Sequence, residues 1–272
     1  MPNRHPDSDK VWNALRNPQC RECSLCEENI PDKVCLLGDG PVPCDAMIIG
    51  EAPGIREADI EIPFSGKSGL LLRRTLKEIG LDPREIYITN TVACRPPGNR
   101  TPTTEEANTC SNLYLLDQVK MVKPKVILCL GNVAVRFAKG KKEAVTKIEG
   151  SPFKYKSTSF LPDPIMCVPS RHPSSVLRAE DMPEFHFIMN RFRENLILFR
   201  KMLNPDPKKE FEFIRKPVRL DPDHKYVYLD IETNGLNPFR PEAKIHCVSI
   251  IQKEEVAAFM LRRKKCLGTT GS

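Results

Sequence analysis

Four short apolar runs, each separated from the next by helix-patterned sequence, constrain this chain more than any other feature. DAMIIG (45–50), EIYITN (85–90), KVILCLG (125–131) and IMCVP (165–169) have the length and β-branched content of buried strands. Between them, GKSGLLLRRTLKEIG (66–80) repeats Leu72, Leu76 and Ile79 at i, i+4 and i+7 and stops at Gly80. TPTTEEANTCSNLYLLDQVKMV (101–122) opens with a threonine cap and an acidic first turn, then runs as a helix. A short capped helix is expected over 8–17, ended by Pro18, and another near 132–139. From 184 on, Phe185, Ile188, Met189, Phe192, Leu196, Phe199 and Leu203 recur with helical period and face a core. Strands alternating with helices predict an α/β fold: a three-layer α/β/α arrangement with a mostly parallel four-stranded central sheet. In such sheets sites form beyond the carboxyl ends of the strands. Those ends are GEAPG (50–54), TNTVACRP (89–96), LGN (130–132) and PSRHPSS (169–175), and they hold nearly all the unusual polar residues of this region.

The 272 residues allow one full domain plus a fragment. Residues 204–224 (NPDPKKEFEFIRKPVRLDPDH) are rich in proline and charge and read as a linker. KYVYLDIETNGLNP then begins something new, with KIHCVSII and VAAFML as further strands and RRKKCLGTTGS as an unstructured end. The expected organisation is a domain over 1–203, a linker over 204–224 and a fragment over 225–272. No apolar run approaches the ~18 residues of a membrane span, and Met1-Pro2-Asn3-Arg4-His5 lacks the pattern of a secretory signal, so an intracellular, cytoplasmic protein is expected. The net charge of +7 is compatible with a nucleic-acid partner. SGKSG (65–69) imitates a phosphate loop, but the motif requires glycine where Glu61 stands, which excludes a nucleoside-triphosphate site.

Eleven cysteines without a secretion signal argue for thiols, metal ligation or core packing rather than disulfides. Cys129, Cys167 and Cys247 sit inside apolar strands and read as core. Cys35 and Cys44 flank a Gly/Pro loop and take no assignment. Cys20 and Cys23 form a C-x2-C step that Cys26 extends, and 15 residues separate Cys94 from Cys110. Two pairs from distant segments supply four thiolates, enough for a tetrahedral zinc or a cubane cluster; sulfur counting does not choose between them, nor among the three N-terminal thiols.

Together these segments resemble the family 4 uracil-DNA glycosylases, the iron–sulfur branch of that superfamily, over roughly residues 10–200. CRECSL resembles the family's opening C-x2-C-P-L. IIGEAPG with PFSGKSG resembles its first motif, including the ten-residue step from Gly54 to Phe64; YITNTVACRPPGNRTPTTEEANTC resembles its central segment, and PSRHPSSVLR its second motif. The resemblance implies Cys20, Cys23, Cys94 and Cys110 as ligands of a [4Fe–4S] cluster, with Cys26 a bystander. It implies uracil-containing DNA as substrate and base excision as the activity: hydrolysis of the uracil N-glycosidic bond, leaving an abasic site. Phe64 resembles the residue that stacks on uracil. Asn90 resembles the one that reads its pyrimidine edge, since an amide matches O4 and N3–H and rejects cytosine. His172 resembles the second-motif histidine that donates to O2 as charge builds on the leaving base, and backbone N–H groups at Glu51 and Ala52 serve the same oxygen. Glu51 and Glu57 resemble acidic residues of the first motif and take supporting or water-positioning roles. Ala52 stands where other branches carry a water-orienting aspartate, which implies a dissociative path. Arg95 and Arg100 in RPPGNR are expected on DNA phosphate. Ala58, Ser65 and Arg171 depart from the family pattern.

YLDIETNGL resembles the first motif of DnaQ-like 3′–5′ exonucleases, as found ahead of family A DNA polymerases. Asp230 and Glu232, at i and i+2 of a strand, would share a divalent ion such as Mg2+. About 50 residues do not close such a domain and its later acidic motifs are missing, so a partial RNase H-like fragment without exonuclease activity is expected, within a phage-type replication polypeptide and with a DNA polymerase or replication proteins as partners. The alternatives are a non-catalytic module that binds uracil or template DNA, and a zinc-stabilised DNA-binding protein.

Overall fold

The computed structural model of the protein describes residues 4–17, 20, 22–25, 35–156 and 164–204, and the backbone of three strands beyond them. The chain divides into two compact units, Met1–Asp206 and Pro207–Ser272. The first unit contains α1 (Ser8–Leu15), β1 (Ala46–Gly50), α2 (Ile55–Ile60), α3 (Lys67–Glu78) and β2 (Tyr87–Asn90). These are followed by α4 (Thr104–Cys110), a π-helical turn (Ser111–Leu115), α5 (Leu116–Val122), β3 (Val126–Leu130), α6 (Gly131–Lys139) and α7 (Val145–Ile148). It ends with β4 (Phe153–Lys154), β5 (Met166–Ser170), α8 (Pro173–Arg178) and α9 (Phe185–Leu203).

The expected four strands form, and they are mutually parallel in the order β2-β1-β3-β5; β4 adds a fifth, antiparallel strand at the β5 edge. With only two residues, β4 offers no period to read, and one of them, Lys154, is exposed. β1 and β3 are buried at every position, as a sheet covered on both faces requires. Helices pack on the sheet: α6 against β1, β3 and β5, and α9 against β3 and β5. The helical stripe of α9 ends in the core, where Phe192, Leu196 and Phe199 are fully buried; each such side chain contributes roughly 1.5–3 kcal/mol of apolar burial.

The strand order fixes where a site can form. From β1 the chain crosses to β2 on one side, then returns to place β3 on the other side of β1. Loops leaving β1 and β3 therefore diverge and open a crevice at the carboxyl end of the sheet.

The segment expected as one helix over 101–122 is interrupted. Thr103 caps α4 by accepting from the Glu106 N–H at 3.2 Å, and Glu106 returns a bond to the Thr103 N–H at 2.7 Å, the reciprocal box its T-x-x-E spacing encodes. The π turn then follows Cys110, with the Ser111 hydroxyl donating to Ala107 O. Three α-helices were not anticipated: α2, α7 and α8. α2 has Gly54 as its cap, and α8 has His172, a residue outside the usual capping set, followed by Pro173.

The second unit shows an antiparallel sheet, β6 (Tyr228–Thr233), β7 (Ile245–Gln252) and β8 (Glu255–Met260), in the order β6-β7-β8. The expected linker beyond Asn204, the TNGLNP turn and the RRKKCLGTTGS end lie outside the described residues.

Candidate active site and thiol pocket

A cleft of about 600 Å³ occupies the crevice. Glu51, Ala52, Pro53 and Gly54 line it from the loop after β1, Gly131 and Asn132 from the end of β3, and Arg171, His172 and Arg178 from the region after β5. Phe64 and Glu57 complete the side nearest α2, and Arg100 and Thr101 the side nearest α4.

Phe64 is held in an uncommon backbone conformation, with φ +53°. Arg73 secures it, donating from Nε to Phe64 O and from Nη2 to Pro63 O, both at 3.1 Å. Gly69 makes room for it: a Cβ at residue 69 would lie 1.9 Å from Phe64 O. Glu57, buried beneath the same turn, accepts from the Gly54 N–H at 3.0 Å and feels the nearby backbone N–H groups of Gly66 and Phe64. Burial still pushes its carboxyl above the ordinary range. Glu57 thus fastens the loop that presents Phe64.

Asn90 pairs with Gly50 in the β1–β2 register. A Cβ at residue 50 would lie 2.4 Å from Asn90 Oδ1 and 2.5 Å from Phe64 Cζ, so glycine is what lets ring and amide meet. Asn90 is only 4% exposed, yet neither Nδ2 nor Oδ1 has a hydrogen-bond partner among the described residues. A buried amide with both ends unmet is costly, and such exceptions call for a ligand or water. Asn90 is not among the residues lining the open cleft; it stands behind that wall, beside Phe64.

The His172 ring lies 5.7 Å from the Phe64 ring, tilted by 36°. Its Nδ1 accepts from the Ser174 N–H at 3.2 Å and meets the Ser174 hydroxyl at 2.8 Å. An Nδ1 that accepts leaves the neutral ring's proton on Nε2. Burial, with a smaller effect of the nearby Arg178 charge, lowers its pKa to about 4. The imidazole is therefore a neutral donor at ordinary pH. Burial raises the Glu51 pKa against the smaller opposing effects of the nearby Thr101 hydroxyl and Arg178 charge.

Two of the departures from the family pattern have visible surroundings. Arg171 makes a two-pronged ion pair with the half-buried Glu149, Nε to Oε2 at 3.0 Å and Nη2 to Oε1 at 3.1 Å, which holds the strand end before His172. The buried Ser65 hydroxyl has no hydrogen-bond partner among the described residues. Nothing in the structure explains Ala58. Arg95 is engaged by Asn99, whereas Arg100 makes paired bonds of 2.9 and 2.8 Å to Glu106 at the cleft rim.

Cys20, Cys23, Cys94 and Cys110 converge on one small pocket, joined by Cys35, Leu25, Leu113 and Tyr114. The Ala93 N–H donates to Cys110 Sγ at 3.2 Å, and burial pushes the Cys110 thiol up. Among the described residues no group of three or more His, Cys, Asp or Glu side chains is arranged to hold a single metal ion. Cys26 lies outside the described residues. Glu106 ties this pocket to the cleft: it accepts from the Ser24 hydroxyl beside Cys23 as well as from Arg100, and these bonds lower its carboxyl to about 2. Its role was foreshadowed only by the capping-box spacing, and nothing in the spacing singled out Cys35, Arg73 or Arg178. Asp230 and Glu232 occupy alternate positions of β6, paired in register with Ser249 and Cys247. No helix among the described residues is long and apolar enough to cross a membrane.

Comparison with known proteins identifies the lineage of this architecture. Residues 37–196 match the uracil DNA glycosylase superfamily model. The chain is 34% identical over 197 residues to the type-4 uracil-DNA glycosylase of Thermotoga maritima, covering 72% of this chain and 91% of that protein. It is 32% identical over 210 residues to the type-4 enzyme of Sulfurisphaera tokodaii, covering 75% and 84%. It is also 27% identical over 221 residues to a DNA polymerase of Bacillus phage SP01, covering 75% of this chain but 22% of the polymerase. Matches of this extent, on a sheet whose switch point carries the cleft, make the chain a member of the uracil DNA glycosylase superfamily, in its type-4 branch.

Proposed function

We propose that this chain is a uracil-DNA glycosylase, and that Phe64, Asn90 and His172 form its base pocket. The observation that carries the reading is the buried Asn90 amide, unmet at both ends, beside an aromatic ring that is itself next to a neutral imidazole. An extruded base must be recognised by its face and its hydrogen-bonding edge. Phe64 offers a stacking face. Asn90 donates from Nδ2 to uracil O4 and accepts N3–H at Oδ1; cytosine, with N4–H2 and an unprotonated N3, mismatches both. His172 donates from Nε2 to O2 as the C1′–N1 bond lengthens and negative charge moves onto the base. Backbone N–H groups at Glu51 and Ala52 assist at the same oxygen. A preorganised donor of this type contributes roughly 3–4 kcal/mol in the transition state.

Ala52 offers no carboxylate, and Glu57 is engaged by the Gly54 N–H and faces those of Gly66 and Phe64, which supports a positioning role for it. Glu51 is the carboxylate left to place water against a sugar cation formed by departure of the base. Arg100 and Arg178 at the rim suit phosphate contacts.

The thiol pocket supports a [4Fe–4S] site with Cys20, Cys23, Cys94 and Cys110 as ligands. The donor set is all sulfur, mostly buried and drawn from separate segments around one pocket, which suits a cluster taking one thiolate per iron. Bound there, such a cluster supplies a tie between the N-terminal segment, the loop after β2 and α4. For the second unit, a strand carrying Asp230 and Glu232 in an antiparallel sheet supports the beginning of an exonuclease-like module. The similarity to a phage polymerase supports a polymerase or replication context for the whole, at work on DNA in the cytoplasm.

The test is incubation of the full chain with an oligonucleotide carrying one uracil, followed by hot alkali. Cleavage at the uracil position is expected. Tight, salt-sensitive binding without cleavage, from protein with its cluster intact, would establish the non-catalytic binding module instead.

A further inference from the structure

The thiol pocket holds one more cysteine than a cubane has corners. Cys20, Cys23, Cys35, Cys94 and Cys110 all line it, whereas a [4Fe–4S] cluster takes four thiolates. Cys35 arrives on a segment of its own, and the N–H of the next residue, Leu36, donates to Ala93 O at 2.8 Å, which fastens that segment alongside Cys94. Burial divides the five. Cys35 is 1% exposed and Cys20, Cys94 and Cys110 are 6% exposed, while Cys23 is only partly buried. Core packing alone is a poor account of this placement. Cys129 and Cys167, which do pack as ordinary core, are fully buried in β3 and β5 and line no part of the pocket.

We propose that Cys35 is a metal ligand of this pocket, able to hold the iron corner otherwise held by Cys23. The inference rests on the iron–sulfur reading given above. In the exchange one iron–sulfur bond to Cys23 breaks and one to Cys35 forms. Cys35 releases its thiol proton to solvent and Cys23 takes one up, so the thiolate count and the iron oxidation states are unchanged. The pocket then survives loss or oxidation of its most accessible ligand, because a further buried thiol lines the same pocket.

The experiment uses the full chain, loaded anaerobically, as wild type and as Cys23→Ala, Cys35→Ala, the Cys23→Ala/Cys35→Ala double variant and Cys110→Ala. Iron and acid-labile sulfide per chain and the visible charge-transfer absorbance are measured, with far-ultraviolet circular dichroism to verify the fold. Each of the Cys23→Ala and Cys35→Ala variants is expected to keep more than about half of the wild-type iron and sulfide, and the double variant less than about a tenth. A Cys23→Ala protein as empty as Cys110→Ala overturns the inference, and so does a double variant loaded as well as the singles. Wild-type protein that binds no iron or sulfide defeats the iron–sulfur reading itself, and the inference with it; a loaded wild type beside an empty, folded Cys23→Ala defeats the inference alone.

Discussion

Replacing Asn90 by leucine should move stability and activity in opposite directions. The amide is 4% exposed and both of its polar atoms lack partners among the described residues. Each unmet buried group costs roughly 1–3 kcal/mol, of which a trapped water recovers a part. Leucine keeps the forked shape without a polar atom but is bulkier, and after that packing cost the expected gain is about 1–2 kcal/mol. For a unit of this size that raises the unfolding midpoint by about 2–6 °C. Function pays the opposite way. The lost interactions with the pyrimidine edge amount to about 2–4 kcal/mol in the transition state, or roughly a 30- to 10³-fold fall in kcat/KM. Thermal unfolding of the full chain, paired with single-turnover base release from a uracil oligonucleotide, measures both. A leucine variant that is less stable by about 1 kcal/mol or more and turns over like wild type would refute the reasoning: Asn90 would then be a structural amide.

Three further outcomes follow from the same geometry. His172→Ala should lower the rate of base release about 10²–10³-fold, as loss of a preorganised donor does. The His172 pKa, lowered to about 4 from an ordinary 6.5, gives the wild type a stability contribution that is present above pH ~6.5 and lost as pH falls through about 4. Acid unfolding of the alanine variant should accordingly lack that component, and wild-type activity should show no acid limb near the ordinary histidine value. Gly50→Ala would set a methyl group 2.4 Å from Asn90 Oδ1 and 2.5 Å from Phe64 Cζ, so a stability loss of about 1–3 kcal/mol and impaired release of uracil are expected, measured by denaturant unfolding and by base release. Arg178→Ala should weaken binding to DNA of any sequence and reduce the slope of log K against log salt by about one, read by titration at several salt concentrations.

The sheet was legible because its strands are buried on both faces and their apolar runs are bounded by turns: all four parallel strands lie where DAMIIG, EIYITN, KVILCLG and IMCVP stand. Crossover order was not encoded in any local pattern, and it is the crossover that puts the crevice between the loops after β1 and β3. The two-residue β4 and the histidine-capped α8 escaped because one is too short for a period and the other uses an unusual cap. At the site, residue types in ordered motifs marked Phe64, Asn90 and His172, and the structure brings ring, amide and imidazole into one neighbourhood. The supports were silent. Arg73 reaches Phe64 from within a helix whose pattern reads only as amphipathic, and Cys35 joins four other thiols beside a backbone hydrogen bond from the next residue, Leu36, to Ala93 that leaves no trace in spacing.

The most direct measurement is a structure of the loaded full chain with uracil bound. The base should lie on the Phe64 ring, with O4 and N3–H on the Asn90 amide and O2 at His172 Nε2. Uracil bound elsewhere, or seated in the cleft with the Asn90 amide still unpaired, would contradict the central claim.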